Sequence, residues 1–294
     1  MTPLIRWLHL NSMLKAGLTI STPQACSVQY LNAFEGILDE THNAGYTTDV
    51  AYSLRKLRAE YEGSAIRVRR SQDDAEIDVG FDSSGLLDTA AIATHCADKN
   101  GFVSKWYDQS GNSRDVAQAT STKQPAIYEE GVHVKDSESR SFVKFDDTDD
   151  VLALTDEIAT TEAFKQFMVV DPNSAGRIYD SNGDNDNLLI QSYRYIFRIN
   201  TVNAIVNATT GFDYNIIDLG RDSNGTRNLF VNGTDILAGW GSTSGENGLT
   251  EIGSKGSPYG GAIYEFIRFS GDTKMANINA ATIRTALNTY YEVF

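Results

Sequence analysis

The run Arg227-Asn228-Leu229-Phe230-Val231-Asn232-Gly233-Thr234-Asp235-Ile236-Leu237 decides the fold. Two apolar stretches, Leu229-Phe230-Val231 and Ile236-Leu237, flank Asn232-Gly233. Asn-Gly readily takes the two positive-φ positions of a tight type I′ turn, so this reads as an antiparallel hairpin. Outward from it the same arrangement recurs. Short runs rich in β-branched and aromatic residues cover 102–107, 141–146, 150–154, 164–171, 187–191, 194–199, 202–207, 213–219, 226–231 and 261–269. Clusters of Gly, Asn, Asp and Ser separate them, which predicts an antiparallel β-sandwich.

Helical spacing is confined to the flanks. Val50, Leu54, Leu57 and Tyr61 fall at intervals that place them on one helix face. Thr47 or Thr48 would cap that helix and Gly63 would end it. Ile66 and Val68 then alternate with Arg67 and Arg69, as in a half-buried strand. A second helix is expected from Asp88, with Ile92 and Cys96 inward and Gly101 past its end. A last one is expected over 274–291, with Met275, Ile278, Ile283, Leu287 and Tyr290 roughly on one side. The fold class is therefore mainly β with a few peripheral helices.

Residues 1–46 read as an N-terminal arm ahead of a sandwich over 47–294. Leu4, Trp7, Leu8, Leu10 and Leu14 could form a short amphipathic helix. Such a helix either packs on its own domain or docks onto a partner or a second copy of the chain.

Composition narrows the function classes. The chain has 294 residues, 41% of them hydrophobic, enough for a core of useful size. Its net charge of −14 repels nucleic acid, and the cluster Arg67, Arg69, Arg70 is too short to reverse that. No stretch approaches the roughly 18–20 apolar residues of a membrane helix, so no membrane insertion is expected. Arg6, His9, Asn11, Ser12 and Lys15 interrupt the first apolar run, which makes a poor signal peptide. Cys26 and Cys96 read as separate thiols, with a disulfide between them as the alternative that one pair leaves open.

Few motifs carry chemistry. Asp180, Asn182, Asp184 and Asp186 offer oxygen ligands at alternate positions, as at the start of a calcium loop. Asn185 and Gln191 stand where such a loop needs Gly and Glu, so a solvated turn competes with that reading. Calcium is the only cofactor suggested. Asp146, Asp147, Asp149 and Asp150 read as an acidic hairpin end. His9, His42, His95 and His133 are scattered, without metal-ligand spacing. No Gly-x-Ser-x-Gly follows a strand, and no phosphate-binding or dinucleotide fingerprint is present. Trp240 and Tyr259, in Gly/Ser-rich loops, are candidates for stacking on a sugar face.

Three segments together resemble a known family: Ala51-Tyr52-Ser53-Leu54-Arg55-Lys56-Leu57, Ile66-Arg67-Val68-Arg69-Arg70, and Trp106-Tyr107-Asp108-Gln109-Ser110-Gly111-Asn112. They are similar to the catalytic domain of α-L-arabinofuranosidase B, glycoside hydrolase family 54. That likeness implies a concanavalin A-like jelly-roll sandwich. Phe145 to Leu152, Arg227 to Gly233 and Gly261 to Ile267 resemble strands of laminin G-like and lectin-like modules, and the whole resembles modules of phage tail and other virion proteins. By the family resemblance, Asp108 and Asn112 belong to a signature loop that either shapes the turn or contacts sugar. The family's acid follows an Ile-Gly pair, and Lys255 stands there after Ile252-Gly253. A lysine cannot take over a carboxylic acid's duty.

The expectation is therefore a non-enzymatic virion structural or adhesion protein, made in the host cytoplasm. Its partners would be other virion proteins, copies of itself and a host-surface glycan. An arabinofuranosidase-type glycoside hydrolase and a purely architectural virion module are the alternatives.

Overall fold

The hairpin at Asn232-Gly233 has the geometry its sequence demands, with φ of 50° and 75° at the two residues. The structure, a computed structural model, describes residues 36–39, 48–181, 186–191, 194–199, 202–207, 214–237, 245–254, 256–271 and 280–294. The chain divides into two units, Met1–Ala33 and Phe34–Phe294, and every described residue lies in the second.

The first strands are β1 (Thr48–Ser53), β2 (Ile66–Arg70), β3 (Glu76–Val79) and, after helix α1 (Thr89–Cys96), β4 (Gly101–Trp106). Then come β5 (Val116–Ala117), β6 (Ala126–Glu129), β7 (Val132–His133), β8 (Val143–Asp146), β9 (Val151–Thr160) and β10 (Phe164–Pro172). They continue with β11 (Gly176–Asp180), β12 (Asn187–Gln191), β13 (Arg194–Ile199), β14 (Val202–Asn207) and β15 (Asn215–Arg221). The chain closes with β16 (Arg227–Val231), β17 (Thr234–Asp235), β18 (Asn247–Gly253), β19 (Gly260–Ser270) and helix α2 (Ala280–Tyr291). A strand overlaps each of the ten positions that the sequence marks as strand.

All the pairings are antiparallel. One layer runs from β1 and β8, which share an edge of β19, through β19, β10, β15 and β16 to β17. The other runs β14-β13-β12-β11-β18-β9-β5-β4-β2-β3. Strand β6 pairs with both β4 and β8 and carries the ladder from one layer to the other. The result is a β-sandwich.

Alternation along the strands builds the core. Phe164, Met168 and Val170 of β10 join Phe266 of β19 and Ile217 of β15 between the layers, with Trp106, Leu152, Ile252 and Leu188 opposite. The other face of the first layer is also buried. Phe167, Val169, Ile216, Tyr264 and Ile267 lie beneath Ile283, Leu287 and Tyr291. Those α2 residues recur every four positions, one helix face. Asp88 caps α1 by accepting from the Ala91 amide at 3.0 Å. Gly101 lies so close to α1 that a Cβ there would sit 2.7 Å from Cys96 Sγ. Cys96 is a free, buried thiol.

One expectation fails in its type of structure. The stretch from Val50 is strand β1, not a helix. Ala51 packs on the α2 side while Val50 and Tyr52 face the sandwich interior. Burial on both faces removes the polar alternation that would have announced a strand. The expected last helix is described from Ala280. Leu4, Trp7, Leu8, Leu10, Leu14 and Cys26 lie outside the described residues.

Candidate functional site

On β11 and β18 the register sets Asp180 directly opposite Glu251, and Tyr179 opposite Ile252. Ile252 and Tyr179 belong to the core. Alternation turns Glu251 to the outward face of this layer.

Asp180 is held from several sides. Its Oδ2 accepts from Arg177 Nη1 at 2.7 Å and from Ser254 Oγ at 2.7 Å. Its Oδ1 accepts from the Ser181 amide at 3.0 Å, and its carbonyl from Thr250 Oγ1 at 3.2 Å. The residue is only 2% exposed. Burial raises its carboxyl above the ordinary range, while Ser254 and then Arg177 pull it back. Gly176, at the start of β11, lets the chain after Ser254 approach closely, since a Cβ there would meet the Pro258 carbonyl at 2.1 Å. Arg177 donates its amide to the Ser257 carbonyl at 3.0 Å.

More carboxylates follow along β18. Asp186 Oδ2 accepts from the Gly248 amide at 2.9 Å, and its own amide donates to Ser181 Oγ at 3.0 Å. A side chain at Gly248 would collide with Glu157 Oε1, so glycine there lets the β9 glutamate lie against the strand. Burial, then the Glu246 and Asp186 carboxylates, raise the Glu157 carboxyl. This flank of the layer is a concentration of acid groups that Arg177 and, more deeply, Arg268 partly offset.

The residues singled out in the sequence fare differently. Asp180 and Asp186 come to the same strand pair, but Asn182 and Asp184 lie outside the described residues. An oxygen of each aspartate already faces a protein donor, in Asp180's case a guanidinium, which opposes the charge arrangement a calcium ion needs. Among the described residues, the acidic group whose ligand atoms all fall within 4.8 Å of one another is Asp146, Asp149 and Asp150, in the turn from β8 to β9.

Of the residues expected to contact sugar, Tyr259 needs correcting. Tyr259 is fully buried, its hydroxyl donating to the Ala262 carbonyl at 3.0 Å and its ring packed against Phe145, so it has no face to offer a sugar. Asp108 accepts from the amides of Ala51, Ser110 and Arg114 and from Ser110 Oγ. Asn112 Nδ2 donates to the carbonyls of Thr48 and Asp49. Both residues fasten the signature loop to β1. Trp240 and Lys255 lie outside the described residues. Sequence reasoning missed Glu251, and the register of β11 on β18, not a motif, brings it to the site. The Asp180 carboxylate reaches Ser254 from the neighbouring strand, one residue before the position where the resemblance implies an acid.

Known proteins share this fold. The family model of the α-L-arabinofuranosidase B catalytic domain matches residues 42–149. No curated protein sequence matches the chain. A glycoside hydrolase family 54 α-L-arabinofuranosidase soaked with a cyclic sulfate inhibitor superposes with a TM-score of 0.62 at 14% identity, over 85% of this chain and 65% of its own. A Glu-to-Gln mutant of such an enzyme, soaked with 4-nitrophenyl α-L-arabinofuranoside, gives the same values. An arabinofuranosidase complexed with arabinofuranosyl-α-1,2-xylobiose has a TM-score of 0.55 at 16% identity, with the same coverage. This chain thus spans 65% of the length of those structures, and identity at this level speaks for the fold.

These matches overturn the expectation of a non-enzymatic virion protein, because the family model and the superposed structures are those of glycoside hydrolases. Residues 42–149 carry the arabinofuranosidase B catalytic-domain pattern, within a β-sandwich of the kind found in family 54 enzymes.

Proposed function

We propose that this chain is the catalytic module of an α-L-arabinofuranosidase-type glycoside hydrolase acting with retention. The observation that carries the reading is the direct pairing of Asp180 with Glu251. Opposed residues on adjacent strands have Cβ atoms about 4.5–5.5 Å apart. Retention needs the carboxyl groups themselves, not the Cβ atoms, about 5–5.5 Å apart, a separation within reach of Asp and Glu side chains that leave opposed positions on one face. Asp180 suits the acid role, because burial favours its protonated form and Arg177 and Ser254 fix its orientation.

Glu251 is then the nucleophile. One of its oxygens bonds to the anomeric carbon as the bond to the leaving oxygen breaks, and Asp180 gives that oxygen its proton. Water, deprotonated by Asp180, then cleaves the glycosyl ester and regenerates both groups. The test is intact-protein mass spectrometry after reaction with a slow aryl arabinofuranoside. The reading expects a pentosyl adduct that maps to Glu251 and is missing from Glu251→Gln. An adduct on another residue overturns the assignment of roles.

A further inference from the structure

Directly paired residues share a face of a sheet. The register therefore lays a row across the outer layer: Arg67 pairs with Lys105, Lys105 with Ala117, Ala117 with Ala153, Ala153 with Glu251, and Glu251 with Asp180. The strand neighbours Trp106, Val116, Leu152 and Ile252 are core residues, so the row runs along the outward face. Its middle is low, because Ala117 and Ala153 are small. Beyond Ala117 an open groove of about 450 Å³ is lined by Arg67, Arg69, Ser104, Lys105, Gln118 and Gln124. Strands lie about 4.8 Å apart, so the three steps from Glu251 to Lys105 measure about 14 Å, a span for a short oligosaccharide.

The groove's chemistry differs from that of the chain as a whole. The net charge is −14, yet Arg67, Arg69 and Lys105 gather here. Arg69 is a fixed wall, bound to Gln124, Asp74 and the Ser121 carbonyl. Arg67 gives Nε and Nη2 to Asp78. The Lys105 ammonium meets Asp115 only at 3.5 Å and stands 5.2 Å from the Tyr107 ring centre. Ser104 Oγ is buried in the lining without a hydrogen-bond partner. Glu76 also lines the groove, and Asp74 is neutralised by Arg69.

We propose that this groove is a subsite for a carboxylate-bearing sugar, a uronate unit of a polysaccharide whose arabinofuranosyl branch reaches Asp180 and Glu251. The inference rests on reading that pair as the hydrolytic centre. Lys105 takes the carboxylate as its main cation, and the unpartnered Ser104 hydroxyl in the lining is the group left to meet a polar atom of the sugar. The polymer crosses the strands over the Ala117–Ala153 floor.

The test is affinity electrophoresis of the full chain through gels holding a glucuronic acid-substituted arabinoxylan, or the same polymer after carboxyl reduction. The acidic polymer should retard the protein about fivefold more strongly, the size of one exposed ion pair. Lys105→Ala and Ala117→Glu should each remove that preference at an unchanged melting temperature. Asp180→Asn should keep it. Equal retardation by both polymers, or a preference that survives both groove variants, overturns the subsite. A preference that persists in a protein unable to cleave any arabinofuranoside supports the subsite and defeats the hydrolytic reading alone.

Discussion

Replacing Glu265 with Gln should lower the unfolding free energy by about 3–5 kcal/mol, the range for stranding one member of a buried ion pair. Glu265 lies in β19 and is 1% exposed. Its Oε2 accepts from Arg55 Nε at 2.8 Å, Ser53 Oγ at 3.0 Å and the Tyr291 hydroxyl at 3.0 Å, while Oε1 accepts from Arg55 Nη2 at 3.1 Å. One carboxylate thus joins β19 to the end of β1 and to α2. A Gln amide fits the same space but has no charge, and its nitrogen would face the guanidinium it displaces an acceptor from. Arg55 would keep its place 4.3 Å over the Tyr290 ring with no anion to balance it. The double variant Arg55→Met, Glu265→Gln should recover much of the loss, since a buried pair replaced by apolar groups is often near neutral. Urea titration at constant slope measures both. A loss under about 1 kcal/mol for Glu265→Gln, or a further loss on adding Arg55→Met, would refute the reasoning.

Asp108→Ala leaves the amides of Ala51, Ser110 and Arg114 without their acceptor, and at about 1 kcal/mol or more each the variant should lose about 3 kcal/mol in the same titration. Asp150 shows the opposite dependence on charge. Burial, then the Asp146 carboxylate, pushes its carboxyl up to about 7. A raised value means that the folded state holds the proton more tightly. Its stabilising contribution is full below the unfolded value of about 3.9 and is lost as pH rises through about 7. Asp150→Asn should therefore melt above wild type at pH 8, and thermal scans should show the gap closing towards pH 4. His133 works the other way: burial and Lys135 lower it to about 4, so its contribution is present above about 6.5 and fades as pH falls through about 4. His133→Asn should flatten that acid limb in scans between pH 7 and 4.

Much of the fold was legible because turn chemistry is local. Asn232-Gly233 takes two positive φ angles in a row, and few other dipeptides do so without strain. Strands β12 to β14 show as short apolar runs rich in β-branched and aromatic residues, set off by polar residues at their ends. Strand β1 was misread because both its faces are buried, so nothing polar marks its period. Strands β11 and β18 went unnoticed for a related reason. Gly-Arg-Ile-Tyr-Asp and Asn-Gly-Leu-Thr-Glu-Ile-Gly carry glycine and charge, and their outward residues are the site itself. Asp180 was visible as an acid, but its partner is set by register and lies 71 positions further on at Glu251. Tyr259 was read as a loop aromatic, although its ring fills the space beside Phe145. A single sequence shows an aromatic's type and not which side of the layer it takes.

Hydrolysis of 4-nitrophenyl α-L-arabinofuranoside by the purified chain tests the central claim most directly. The account predicts release of 4-nitrophenol that falls as pH rises through the elevated value of Asp180. It also predicts that Glu251→Gln loses about 10³-fold or more in kcat, of the order a catalytic group contributes. Asp180→Asn should spare this activated substrate more than substrates with sugar leaving groups. No release from the wild-type chain, or release that survives both Glu251→Gln and Asp180→Asn, would contradict it.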